Sequence, residues 1–136
     1  MAVFNKFDCF VENVAEKVHN LGSDQLTLAL TNSAPSAANT VLANITEITY
    51  TNLSTRNLTT SSSSQTSGLY KLVVADTTLT STGGGTGPFR YVVVYNSTAA
   101  GGPLIGWYDY GSALTLNSSE SLTVDFDQVN GLLTIQ

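Results

Sequence analysis

The chain predicts a mainly β fold: an antiparallel β-sandwich, jelly-roll-like, with one α-helix at its N-terminus. Three observations carry this. From Gly87 to Gln136 short apolar runs alternate with turn residues at the spacing of antiparallel strands. Serine and threonine supply about a quarter of the 136 residues, which suits half-buried pleated surfaces and turns. No second helical pattern is present to cross over between parallel strands. The expected organisation is a single domain over 1–136, with an amphipathic helix over 3–21 and the sandwich over 25–136. A jelly roll matches eight or nine expected strands. An immunoglobulin-like sandwich competes, but the tryptophan between paired cysteines that would favour it is absent.

The helix rests on Phe4, Phe7, Val11, Val14, Val18 and Leu21, whose 3-4 spacing lines one face. Gly22 stands where a C-terminal cap is expected. Cys9, Glu12, Asn13 and Glu16 fall on the opposite face. The stripe either packs over the β domain or meets a partner or a second copy. Leu26, Leu28 and Leu30 then alternate with Thr27, Ala29 and Thr31 in a half-buried strand. Asn32 to Thr40 is a polar loop. Val41, Leu42 and Ile45 mark a turn or short strand, and Ile48 and Tyr50 a further strand. Thr51 to Ser67 has the composition of a mobile loop, although Leu58 to Thr60 could form an edge strand. Leu69 to Ala75 is apolar on both faces except at Lys71, and Leu79 marks the next strand. Thr82 to Gly87 (TGGGTG) reads as a linker.

In the last block Phe89, Tyr91, Val93 and Tyr95 occupy one strand face, with Arg90, Val92 and Val94 on the other. Leu104 to Tyr110 gives a second run, Leu114 and Leu116 a third. Leu122, Val124 and Phe126 alternate with Thr123, Asp125 and Asp127 in a fourth. Asn130-Gly131 is a hairpin signal returning the chain into Leu132 to Ile135.

Composition excludes several classes. Only five Lys and Arg are scattered through a chain of net charge −5, so neither nucleic acid nor an anionic membrane is expected as a partner. No apolar run approaches a membrane span, and no signal peptide opens the chain; synthesis in a cytoplasm is expected. Cys9 alone cannot form an intrachain disulfide.

No catalytic, cofactor or metal constellation emerges. His19 is the one histidine, expected at the surface near the helix end, and Cys9, ten residues away on a helix, points elsewhere. Asp109, Asp125 and Asp127 invite a calcium reading, but no acidic loop motif supports it; they suit outer strand faces. TGGGTG lacks the helix and lysine of a phosphate loop. Five Asn-x-Ser/Thr patterns, at Asn44, Asn52, Asn57, Asn96 and Asn117, suit chance in so Asn/Ser/Thr-rich a chain. The aromatics are the remaining candidates. Trp107 and Tyr108 must point to opposite faces of a regular strand, so one is free for a protein interface or for stacking on sugar. Phe4, Phe7, Trp107, Tyr108 and Tyr110 form the candidate partner-interface set.

The opening FNKFDCFVENVAEKVHNLGSDQLTLALTNSAP and the ending FRYVVVYNSTAAGGPLIGWYDYGSALTLNSSESLTVDFDQVNGLLTIQ together resemble small virion structural proteins of tailed bacteriophages, commonly interpreted as capsid decoration, or cement, proteins. The resemblance implies a jelly-roll-like domain without enzymatic activity or cofactor. It implies a protein on the capsid exterior of the virion, bound to the major capsid protein and to other copies of itself as a dimer or trimer. It assigns no residue a role. A tail or fibre-base accessory protein is the neighbouring reading, and a carbohydrate-binding or adhesive module is the alternative from a different class.

Overall fold

A computed structural model describes residues 2–136. The fold is mainly β, with antiparallel ladders and one α-helix, arranged as a sandwich. Its nine strands are β1 (Phe4–Lys6), β2 (Leu26–Thr31), β3 (Thr60–Thr66), β4 (Leu69–Val74), β5 (Thr77–Thr80), β6 (Thr86–Asn96), β7 (Leu104–Leu116), β8 (Ser121–Val124) and β9 (Leu133–Ile135); α1 is Cys9–Ala15. A four-stranded sheet has the order β1-β7-β6-β2. Opposite it lie β3-β4-β9 and the pair β5-β8. A strict jelly roll has eight strands in two sheets; here the ladders hold four, three and two.

The second half of the chain is one long ribbon folded over on itself. Leu104 faces Tyr95 next to the loop 97–103, and outward from there Tyr108 faces Val92 and Leu116 faces Thr86. The pairing continues in the other sheets, where Leu122 faces Leu79 and Leu133 faces Leu72. Each arm therefore passes from one sheet to the next while keeping its partner. The crossing falls at TGGGTG, which is not a linker but the fold line of the ribbon. Gly85 sits there at φ +85°, and a Cβ on it would lie 2.8 Å from the Leu116 carbonyl oxygen. Only glycine fits such an approach.

This pairing also explains two departures from expectation. Asn130-Gly131 makes no hairpin between neighbouring strands. It belongs to a turn in which Asp127 accepts the Val129 and Asn130 amides and Gly131 N–H returns to the Asp127 carbonyl. β9 then pairs with β4, its ribbon partner, not with β8. Leu114 and Leu116 likewise form no separate strand, because β7 runs unbroken in chain order through Gly111.

The four-stranded sheet is covered on both faces. On one, Leu28, Leu30, Val92, Val94 and Ile105 pack against Leu72, Val74, Leu79 and Val124 of the facing ladders. On the other, Ala29, Val93, Tyr95 and Leu104 pack against Phe7 and Ile45. Two covered faces account for the uninterrupted valines of β6. A register shift between Phe89 and Tyr91 then moves Phe89 off the face of Val93 and onto that of Val92 and Val94. Such a bulge reverses the side-chain parity on one side of it. The outer edge of β2 is closed by the segment before β3: Leu28 N–H donates to the Arg56 carbonyl, Leu58 N–H to that of Leu26, and Ile48 N–H to that of Leu30. Ile48 and Tyr50 serve in this strap, not in a strand of their own. The serine tract is no mobile loop either; it forms β3, an exposed edge strand paired with β4.

The helix over 3–21 is the largest correction. Phe4–Lys6 is a strand paired with Gly106–Tyr108, and α1 has seven residues. Lys17, at φ +65°, ends it. Val18 N–H bonds the Asn13 carbonyl at 2.8 Å and Lys17 N–H that of Val14 at 3.4 Å, the Schellman pattern with lysine where glycine is usual. Gly22 caps nothing. Beyond Lys17 the 3-4 spacing has no helical meaning. Phe10 is buried in its place, while Val11 is 56% exposed.

Candidate functional site

The five candidate aromatics divide between the two faces of the sheet. Trp107 is half-buried and stacks on Phe7, ring centroids 4.6 Å apart. Phe7 is 0% exposed and reaches no partner, so it is a core residue. On the other face Tyr108 packs against Phe4 at 5.3 Å and Phe126 at 6.0 Å. Gly106 makes the first contact possible: any Cβ there would collide with the Phe4 ring. Trp107 and Tyr108 thus point to opposite faces, as a regular strand requires. Tyr110 follows Tyr108 on the same face and is half-buried.

Tyr108 and Tyr110 reach a cleft of about 370 Å³ between β7 and β8. Ala2, Tyr108, Asp109, Tyr110, Thr123, Val124 and Asp125 line it. β1 pairs with β7 only from Gly106 to Tyr108, so the cleft opens where that cover stops. Burial, with the negative charge of Asp125 added, raises the Tyr110 pKa. Burial acts first on Tyr108 too, followed by Tyr110 and Asp127, and pushes it up to about 12. Both phenols therefore keep their protons across the physiological range. Asp109 is committed elsewhere. It accepts Arg90 Nε at 2.7 Å and Nη2 at 3.0 Å, and the Gly111 amide at 2.7 Å. The guanidinium first, then the Gly111 amide, holds its carboxyl below the usual range.

A second polar centre lies between α1 and the ribbon tip. His19 is buried at 7% exposure, not at the surface. Asn96 Oδ1 accepts the Thr98 and Ala99 amides, which fixes the amide orientation. Its Nδ2 then donates to Asp24 Oδ2 at 2.6 Å and to His19 Nδ1 at 3.0 Å. Nδ1 must be the acceptor, so the neutral ring carries its proton on Nε2, which has no partner. Burial lowers the His19 pKa, against a smaller upward pull from Asp24. This junction has no sequence signature; only the fold brings 19, 24 and 96 together.

Cys9 is far from that junction in environment. Its Sγ lies 3.7 Å from the carbonyl oxygens of Asn39, Thr40 and Leu104. Burial raises its pKa, which keeps the thiol protonated and unreactive. Asp127 caps the 127–131 turn, where the Asn130 amide and side chain hold its carboxyl low. Among the described residues no group of three or more His, Cys, Asp or Glu is placed to hold a metal ion, and no helix is long and apolar enough to cross a membrane.

The geometry defines an antiparallel β-sandwich with a small polar-aromatic cleft beside Tyr108 and Tyr110, a wider groove of about 670 Å³ between α1 and Tyr70, and an apolar N-terminal margin. Comparisons with protein-family models, with curated proteins and with solved structures give no match.

Proposed function

We propose that this protein is a non-enzymatic virion structural protein that binds the outside of an icosahedral phage head and stabilises it. It would act in many copies, as a dimer or trimer, against the major capsid protein. The observation that supports the reading best is the N-terminal margin of the four-stranded sheet. Val3 is 75% and Val11 56% exposed, flanking a three-residue edge strand whose outer side pairs with no other strand among the described residues. An edge strand beside apolar side chains suits docking by strand addition with a few apolar anchors. The sequence resemblance to decoration proteins supplies the partner. The mechanism is mass action: a subunit that binds the assembled shell and not its dissociated parts stabilises the shell.

The test compares heads carrying wild-type protein, heads without it, and heads offered Val3→Asp/Val11→Asp protein. The temperature of genome release should fall without the protein, and the double variant should fail to restore it. Its own melting should stay within about 0.5 kcal/mol of wild type, as for exposed positions. Equal release temperatures with and without bound protein would overturn the stabilising role. A cryo-electron map placing the protein at the tail or fibre base would replace the head with that neighbouring site.

A further inference from the structure

We propose that the cleft between Tyr108–Tyr110 and Thr123–Asp125 is a binding site for one ring of a neutral saccharide, a function separate from attachment to a shell. Tyr108 carries the argument. It is only 7% exposed, and its ring is fixed between Phe4 and Phe126, yet its hydroxyl has no hydrogen-bond partner among the described residues. The one sealed-off side-chain atom without a partner among the described residues is His19 Nε2. The Tyr108 hydroxyl therefore keeps some access to solvent, and Tyr108 lines the cleft. Reachable by solvent, that hydroxyl is free to donate to and accept from water or a ligand.

The surrounding groups match a polyhydroxyl partner. Tyr108 and Tyr110 stay protonated and can each donate and accept. The Asp125 carboxylate is exposed and has no hydrogen-bond partner among the described residues, so it can take two vicinal hydroxyls. The Thr123 hydroxyl is already shared with that of Thr78 at 3.0 Å and is left out of the ligand set, while the half-buried Tyr110 ring gives an apolar flank for a pyranose face. Asp109 is saturated by Arg90 and Gly111 and is left out of the ligand set. The net charge of −5 and the free carboxylate select against anionic sugars. A volume of about 370 Å³ lies near the lower end of ligand pockets, roughly 300–1,000 Å³, which suits one ring and not an extended chain.

The experiment titrates the labelled full-length protein with methyl glycosides of glucose, galactose, mannose and N-acetylglucosamine and follows backbone amide shifts. At least one should move the amides of 108–110 and 123–125 saturably. Asp125→Asn and Tyr108→Phe should each weaken that glycoside at least about tenfold while melting as wild type, since Tyr108→Phe keeps the ring packing. No shift at these amides with any of the four would overturn the proposal. So would binding that survives both substitutions. Head stabilisation does not enter this assay, so the two readings fail independently.

Discussion

Truncating Phe7 to alanine tests the packing on the second face of the sheet. Phe7 is fully buried with Ala29, Ile45, Val93, Tyr95 and Leu104, and Trp107 lies against it. These neighbours belong to β2, β6, β7 and the end of a 3-10 turn at Leu42–Asn44, each held by its own backbone bonds, so the site cannot collapse to fill the gap. Phe→Ala at such positions costs about 3–5 kcal/mol. A domain of this size has about 5–15 kcal/mol in all, and each kilocalorie moves its Tm by roughly 3–5 °C. The isolated variant should therefore melt about 10–20 °C lower, with an unchanged denaturant slope if only the native state is affected. Because Trp107 is the sole tryptophan, its emission should shift to the red in the folded variant as its packing partner is lost. A fall in Tm below about 3 °C, with unshifted emission, would refute the assignment of Phe7 to the core.

Two further outcomes follow from the backbone and from the buried histidine. Lys17 holds a left-handed conformation at φ +65°, which costs a residue with a Cβ about 1 kcal/mol. Lys17→Gly should raise stability by about that amount in urea titrations, and a loss would show that the Lys17 side chain supports the fold. His19 is held neutral, its pKa lowered from 6.5, so the unfolded chain binds the proton more readily. Its contribution should be complete above about pH 6.5 and lost as pH falls from there through the folded pKa. His19→Gln, which retains an acceptor for Asn96, should flatten that part of the stability–pH curve; an unchanged curve would rule out His19 as the titrating group.

The apolar β runs were readable because each buried its side chains against a polar alternation or a fully covered sheet, and β2, β4 and β6 came out almost where the pattern put them, whereas the exposed serine strand β3 carried no such signal. The helix was not. Phe4 to Leu21 has helical spacing, but β7 offers an unpaired edge at Gly106–Tyr108, and backbone pairing there outweighs the propensity of a short segment. Nor does local pattern report which ladder a strand joins. Asn130-Gly131 looks like a hairpin because its neighbours are strands, whereas β9 answers to β4, some sixty residues earlier along the chain. Of the candidate site, Tyr108 and Tyr110 were identified by their neighbourhood to Trp107. Asp125, read as the polar side of a strand, gained meaning only when β8 was placed against β7. Phe7 was selected for the same apolarity that in fact buries it.

The folded ribbon has a consequence for how the molecule comes together. Its innermost pair, Tyr95 with Leu104, is separated by a short loop, while Leu72 and Leu133 lie far apart in the chain. Closing the outer ladder directly would cost the entropy of a long loop. Once the inner ladders have formed, only the last bend remains to be closed. Assembly then proceeds from the tip outward, as in a zip fastener. Weakening the 97–103 loop should slow folding, whereas weakening β9 should mainly speed unfolding. A fold rich in distant contacts would in this way reach its native pairing through a series of short closures.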